Sequence, residues 1–203
     1  MAGVLVFGGN RATGFEIVKA LKARGDDVSV MARPSADPAA VRALGVPVIV
    51  GQASSAADVA AAVSGGNFRG LVCAVGGSLF GGGAHYEPVK NIIAAAKAKG
   101  LRRVVLISSI GVGDSRAAMP KLARWILKRA LDQKELAEAD LKASGLDYTI
   151  IQPGNLTNGP ATATARLIAS PTGSGKISRA DVGRLAASVV DDAATFGKSF
   201  AAL

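Results

Sequence analysis

The turn near the amino terminus constrains this chain more than any other stretch. An apolar run, Val4-Leu5-Val6-Phe7, enters it, and an amphipathic stretch from Thr13 to Arg24 leaves it. Between them lies Gly8-Gly9-Asn10-Arg11-Ala12-Thr13-Gly14. Buried strand, glycine-rich turn and helix in that order make a cradle for a pyrophosphate. Gly8 can turn sharply at positive φ, and Gly14 is expected to let helix and ligand approach closely. The free N–H groups of the helix start then face the phosphates, whose negative charge the helix dipole favours.

The next strand sharpens the reading. Val28-Ser29-Val30-Met31-Ala32 ends at Arg33, where an acid would accept hydrogen bonds from the ribose 2′-hydroxyl of NAD. An arginine there suits a 2′-phosphate instead. Arg11, inside the turn, is a second cation for the same corner. Two arginines converging on one end of the ligand predict NADP(H) in preference to NAD(H).

Further along, apolar runs alternate with amphipathic stretches. Strands are expected at Val46–Val50, Leu71–Val75, Arg103–Ile107, Tyr148–Gln152 and Lys198–Ala201, with helices between them. Ser55 and Ser178 stand as helix N-caps. Pro120 is expected to start one long helix running to Gly145, and 166–177 to form a small hairpin around Pro171-Thr172-Gly173-Ser174-Gly175. The alternation predicts an α/β fold: a Rossmann-like, doubly wound parallel sheet of six or seven strands with helices on both faces, as a single domain over 1–203. In such a sheet the carboxyl ends of the strands face the ligand. That edge collects Gln52 and Ala53, then Val75, Gly76 and Gly77, then Ser108 and Ser109, then Pro153, Gly154 and Asn155.

Bulk properties narrow the partners. Aromatic residues make up only 4% of the chain, so the core is expected from Val, Ile, Leu and Ala, as in buried parallel strands. No apolar run approaches the roughly 20 residues of a membrane span, and no export signal is visible. The single cysteine, Cys73, excludes a disulfide framework and fits a reducing cytoplasm. One histidine and one cysteine cannot build a zinc cluster, so no metal site is expected. The net charge of +9 is spread over many helices with few aromatics for base stacking, which disfavours nucleic acid. A polyanionic dinucleotide accounts for part of the excess. The expected partners are that cofactor and a small-molecule substrate, with no nucleic acid and no membrane, in a monomer or homodimer.

Several of these segments together carry a family resemblance. Gly8 to Gly14, Ala32-Arg33-Pro34, Ser108-Ser109, Leu146 to Gly154 and Ile177-Ser178-Arg179-Ala180-Asp181-Val182 resemble an atypical short-chain dehydrogenase/reductase. The branch is the NmrA-like, biliverdin reductase B and flavin reductase-like group. The resemblance covers nearly the whole chain and implies an NAD(P)-binding oxidoreductase. It places Gln52 beside the adenine, where relatives often have Asp. In tyrosine-dependent relatives a Tyr and a Lys one helical turn apart, with a Ser nearby, protonate the substrate oxygen. By resemblance Ser108 or Ser109 fills the serine position and Lys134 the lysine position. Four residues before Lys134 stands Ala130, so the tyrosine is missing. The acids beside Lys134, namely Glu135, Glu138 and Asp140, read as ordinary surface charge pairing.

Three functions remain open on these residues. The first is an NADPH-dependent reductase of an acceptor needing little acid help, such as a flavin, quinone or conjugated carbonyl. The second is a non-catalytic NADP(H)-binding redox sensor. The third is a sugar-type epimerase or dehydratase, against which the missing tyrosine counts.

Overall fold

A computed structural model describes residues 2–76, 86–162, 164–171 and 173–203. Gly77, Ser78, the Gly81-Gly82-Gly83 run, His85 and Thr172 lie outside the described residues. The elements follow one another as β1 (Gly3–Phe7), α1 (Ala12–Ala23), β2 (Val28–Ala32), α2 (Ala39–Arg42), β3 (Val48–Val50), α3 (Ala56–Ser64), β4 (Phe68–Cys73) and α4 (Tyr86–Lys99). Then come β5 (Arg103–Ile107), a 3-10 turn (Gly113–Ala118), α5 (Lys121–Ile126), α6 (Lys128–Ala143) and β6 (Asp147–Pro153). The chain closes with β7 (Asn155–Thr157), β8 (Leu167–Ile168), β9 (Lys176–Ser178), α7 (Arg179–Val189), a 3-10 turn (Ala193–Thr195) and β10 (Lys198–Ala202).

Eight strands form the main sheet in the order β3-β2-β1-β4-β5-β6-β10-β8. Every described pairing in it is parallel except that of β8 with β10. The sheet is thus Rossmann-like, with a short antiparallel edge strand beyond the six or seven expected. Strand order reverses beside β1: the chain builds outward to β3, then crosses back to place β4 on the other side. This reversal opens a crevice at the carboxyl ends of β1 and β4.

Alternation along each strand explains why both faces are covered. In β1, Val4 and Val6 pack with α1 and α7, while Leu5 and Phe7 pack with α3, α4 and α6. All four are fully buried. The helices sit close where small residues allow it: a Cβ on Gly183 of α7 would lie 2.6 Å from the Glu16 backbone of α1. At the opposite edge of the sheet, buried Arg103 staples β5 to the chain after α7. It donates to the carbonyls of Val190 at 2.8 Å and Asp147 at 2.7 Å, and its guanidinium lies 4.3 Å from the Phe196 ring. Burial brings its pKa down to about 10.

Three sequence expectations change. The helix expected from Pro120 to Gly145 is broken at Leu127 (φ −93°, ψ 6°), giving α5 and α6. Residues 166–177 do not pair as a hairpin: β8 joins β10 in the main sheet, and β9 pairs in parallel with β7 in a separate two-stranded sheet. The fourth strand starts at Phe68 and stops at Cys73, which leaves Val75 in the turn beyond it. Ser178 does cap α7, accepting from the Asp181 amide at 3.0 Å. Buried Asp181 in turn accepts from the Thr162 amide at 2.9 Å and the Ser178 hydroxyl at 2.8 Å, which pins the loop after β7 to the head of α7.

Candidate active site

The carboxyl edge gathers the sequence candidates in strand order. Gln52 and Ala53 follow β3, Arg33 follows β2, Gly8 to Gly14 follow β1, Val75 and Gly76 follow β4, Ser108 and Ser109 follow β5, and Pro153 to Asn155 span the end of β6. Each lies on the same side of the sheet because parallel strands end alike.

Gly8 holds φ +78°, and a Cβ there would meet the Ala74 carbonyl at 3.0 Å and the Val75 nitrogen at 3.2 Å. The turn after β1 is therefore pressed against the turn after β4, across the strand-order reversal. Gly9 is buried over Val30 and Val18, with no room for a side chain. A Cβ on Gly14 would lie 2.1 Å from the Gly8 carbonyl oxygen, so a glycine here lets the start of α1 pack against the turn's own backbone. Arg11 is extended (φ −158°), and Ala12 enters α1 at φ +49°, a left-handed conformation held by no other non-glycine among the described residues. No side chain caps α1, whereas Ser55 caps α3 and Ser178 caps α7. The first-turn N–H groups of α1 are thus left for a ligand or water. Asn10 and Thr13 are half-buried on this turn.

Arg11 and Arg33 are exposed, and among the described residues neither guanidinium has an ion-pair partner. Gln52 is exposed, with its main-chain N–H donating to the Asp58 carboxylate at 2.8 Å. The Ala53 carbonyl accepts from buried Asn91 at 3.0 Å. These features fit an anion with its adenosine end towards β2 and β3: a main-chain cradle too tight for side chains, an uncapped helix and two unpaired cations.

At the other end, Val75, Ser108 and Lys134 line one small cavity at the carboxyl ends of β4 and β5. Helix α6 sets Ala130, Lys134 and Glu138 four residues apart, on one face. Ala130 is buried, so the tyrosine position faces inward and carries only a methyl. Burial lowers the Lys134 pKa, opposed by the nearby Cys73 thiol and Glu138 carboxyl. Burial also pushes the Cys73 thiol up to about 11, which leaves it an unreactive core residue.

Glu138 corrects the surface reading of its helix. It is 2% exposed, and both its carboxylate oxygens accept from the Gln152 amide at 3.0 Å. Gln152 also donates to the Val112 carbonyl at 3.0 Å. Burial raises the Glu138 pKa, with Gln152, Ser108, Lys142 and Lys134 opposing. Ser108 Oγ lies near this carboxyl but outside hydrogen-bonding geometry, and has no hydrogen-bond partner among the described residues. Ser109 Oγ donates to the Ile110 carbonyl at 3.2 Å. Glu138 was legible only through its spacing of four from Lys134.

Pro153 and Gly154 are buried, and a Cβ on Gly154 would lie 2.3 Å from the Gly175 carbonyl. The Asn155 amide donates to that same carbonyl at 2.8 Å, with its side chain exposed at the edge. Neither tyrosine replaces the missing one. Tyr86 donates to Asp140 at 2.7 Å on the outside of α4 and α6, and Tyr148 lies at the amino end of β6. No cluster of three or more metal-ligating side chains occurs among the described residues. No helix among them is long and apolar enough to cross a membrane.

The fold, the strand-order reversal and the glycine cradle define a dinucleotide-binding Rossmann protein. The chain belongs to the NAD(P)H-binding family, whose sequence model matches residues 8–193. It is 28% identical over 207 residues to a Bacillus subtilis (strain 168) protein named uncharacterized sugar epimerase YhfK, spanning 97% of this chain and 92% of that one. Over 98 residues, 46% of this chain and 35% of the relative, it is 36% identical to sanguinarine reductase of Eschscholzia californica. Among solved structures it resembles ChuY, described as an anaerobillin reductase from Escherichia coli O157:H7. The TM-score is 0.87 at 28% identity, covering 100% of this chain and 97% of ChuY.

Proposed function

We propose that this protein is an NADPH-dependent reductase of a small conjugated acceptor. The single observation that carries the reading is Ala130, buried where an acid would stand, beside Lys134 and a Ser108 hydroxyl with no partner among the described residues. A site with a cofactor cradle but no tyrosine favours an acceptor whose reduced form takes its proton from water. Two of the similar proteins are named as reductases, which supports the same class.

When bound, the reduced nicotinamide supplies a hydride. The chain's residues do the remaining work. Main-chain amides from Gly8 to Gly14 hold the pyrophosphate, and Arg11 and Arg33 take the 2′-phosphate, which favours NADP(H) over NAD(H). Gln52 and Ala53 border the adenine. Val75 and Gly76 line the middle of the crevice, with Gly77 assigned there from the sequence. Lys134 holds the nicotinamide ribose, and Ser108 and Ser109 orient the acceptor or a water molecule. Pro153, Gly154 and Asn155 close the far side. We further assign a cytoplasmic, monomeric or homodimeric protein of one domain, with small molecules as its ligands and no nucleic-acid partner.

The test is oxidation of NADPH with FMN or a quinone, followed by loss of reduced-nicotinamide absorbance. Saturable turnover is expected. Tight NADPH binding with no turnover on any acceptor would identify a redox sensor instead, which Ala130 also permits. Ala130 counts against an epimerase, although the Bacillus relative carries that name.

A further inference from the structure

Of the α-helices described, only α5 has no buried residue. Its Leu122, Trp125 and Ile126 stand at the i, i+3, i+4 spacing of one helix face. A stripe of that kind ordinarily turns to a core, yet these three side chains are 69%, 75% and 55% exposed.

The charge around the stripe is one-signed. Between Asp114 and Asp132 the chain carries five cations, Arg116, Lys121, Arg124, Lys128 and Arg129, and no acid. This short stretch therefore supplies more than half of the net charge of +9. Four of the five meet in space, since Arg116, Lys121, Arg124 and Lys128 line one cleft with Trp125. Glu135 accepts from Arg116 at 2.9 Å, and Asp132 accepts from Lys128. Lys121, Arg124 and Arg129 have no ion-pair partner among the described residues. Several of these cations also oppose local electrostatics. Lys121 opens α5, and Lys128 and Arg129 open α6. A helix dipole favours acids in the first turn, and neither helix has one there. The helices themselves thus gain nothing from cations at these positions.

The partner that suits this face is apolar a few ångströms in and anionic at its surface. A second copy of the chain matches the stripe but sets five cations against five. A helix that lies in a headgroup layer has the combination found here, aromatic and aliphatic side chains rimmed by lysine and arginine. We propose that α5 docks this protein, peripherally and reversibly, on the surface of an anionic lipid bilayer. Leu122, Trp125 and Ile126 enter the boundary between headgroups and acyl chains, with the indole N–H turned to the polar side. Lys121, Arg124 and Arg129 lie among the headgroup phosphates. Three apolar side chains make a weak anchor, so attachment depends on the cations and is lost in high salt. Docking of this kind needs no membrane-spanning helix, and it is independent of what the cofactor crevice reduces.

Trp125 is the only tryptophan in the chain, so its fluorescence reports insertion directly. The probes are vesicles of equimolar phosphatidylcholine and phosphatidylglycerol, and vesicles of phosphatidylcholine alone. On the anionic vesicles Trp125 emission should shift to the blue, acyl-brominated lipid should quench it, and the protein should sediment with the lipid. Each cation near such a surface is worth roughly fivefold in partitioning, so Lys121→Gln/Arg124→Gln/Arg129→Gln should weaken binding on the order of 100-fold. Neutral vesicles should bind comparably poorly, and about 0.5 M NaCl should remove most of the difference between the two lipids. Leu122→Ser/Trp125→Ser, followed by sedimentation, should weaken binding to the anionic vesicles as well. Both variants should keep wild-type Tm and NADPH affinity, because the replaced side chains lie outside the core and the cradle. No blue shift on anionic vesicles, equal binding to both lipids, or wild-type binding by the triple variant overturns the proposal. A dimer in sedimentation velocity that Leu122→Ser/Trp125→Ser abolishes, with no vesicle binding, also overturns it and assigns the face to a second copy of the chain.

Discussion

Replacing Gly14 by alanine tests the cradle directly. The new methyl would sit 2.1 Å from the Gly8 carbonyl oxygen, 2.8 Å from its carbon and 3.1 Å from the Gly9 Cα, where ordinary contact begins near 3.4 Å. The turn and the helix must therefore part by more than an ångström. Neither yields easily. Helix α1 is locked against α7 at Gly183, and the Gly8 turn is pressed on Ala74 and Val75. Overpacking of this kind costs about 1–3 kcal/mol. For a chain of this length each kcal/mol lowers Tm by roughly 2–4 °C, so a fall of about 2–12 °C is expected. The displaced turn also moves its amides, and the NADPH dissociation constant should rise by at least about tenfold, or 1.4 kcal/mol. Differential scanning fluorimetry and calorimetric titration read the two effects. Gly76→Ala is the control for stability, since a Cβ there meets nothing within 4 Å among the described residues and Tm should not move. A Gly14→Ala variant with wild-type Tm and wild-type NADPH affinity would refute the packing argument.

The remaining predictions concern charge. Arg33→Ala should weaken NADPH by roughly 10- to 100-fold, the worth of a charge-assisted contact of about 1.5–3 kcal/mol, and leave NADH nearly unchanged. Equal loss for both coenzymes removes the case for 2′-phosphate selectivity. Lys134→Met should weaken NADPH on the order of tenfold while Tm holds or rises, because it removes a cation that burial already disfavours. Unchanged affinity together with an unchanged rate would show that Lys134 does not touch the cofactor. For Glu138 the folded pKa lies above the unfolded value, so the native state holds the proton more tightly. Its protonated form then favours folding, and this contribution is lost as pH rises above the unfolded value of about 4.3. Glu138→Gln should therefore raise Tm at pH 7, with the gain vanishing near pH 4. A gain independent of pH, or a loss at pH 7, contradicts the burial argument.

Local signals in the sequence carried much of the fold. The strand Arg103–Ile107 and the caps Ser55 and Ser178 stand where their residues place them, because each is decided within a few positions. The carboxyl-edge grouping was also legible, since parallel strands put every following turn on one side. What escaped was set by distant partners. Nothing in the run from Lys121 to Lys128 resembles a breaker, yet the helix stops at Leu127. The Pro171 to Gly175 turn signal hid the fact that its flanks pair with β10 and β7 instead of each other. Along α6, Glu135 meets Arg116, Asp140 meets Tyr86 and Glu138 turns inward to Gln152. Three acids of one helix thus serve three surroundings, which spacing alone did not separate.

The central claim is that the crevice between β1 and β4 seats NADP(H) through its main-chain cradle and two arginines. Isothermal titration of the wild-type protein with NADPH and NADH measures this most directly. One equivalent of NADPH should bind with measurable heat, and more tightly than NADH. No heat and no thermal upshift with either coenzyme would contradict the account.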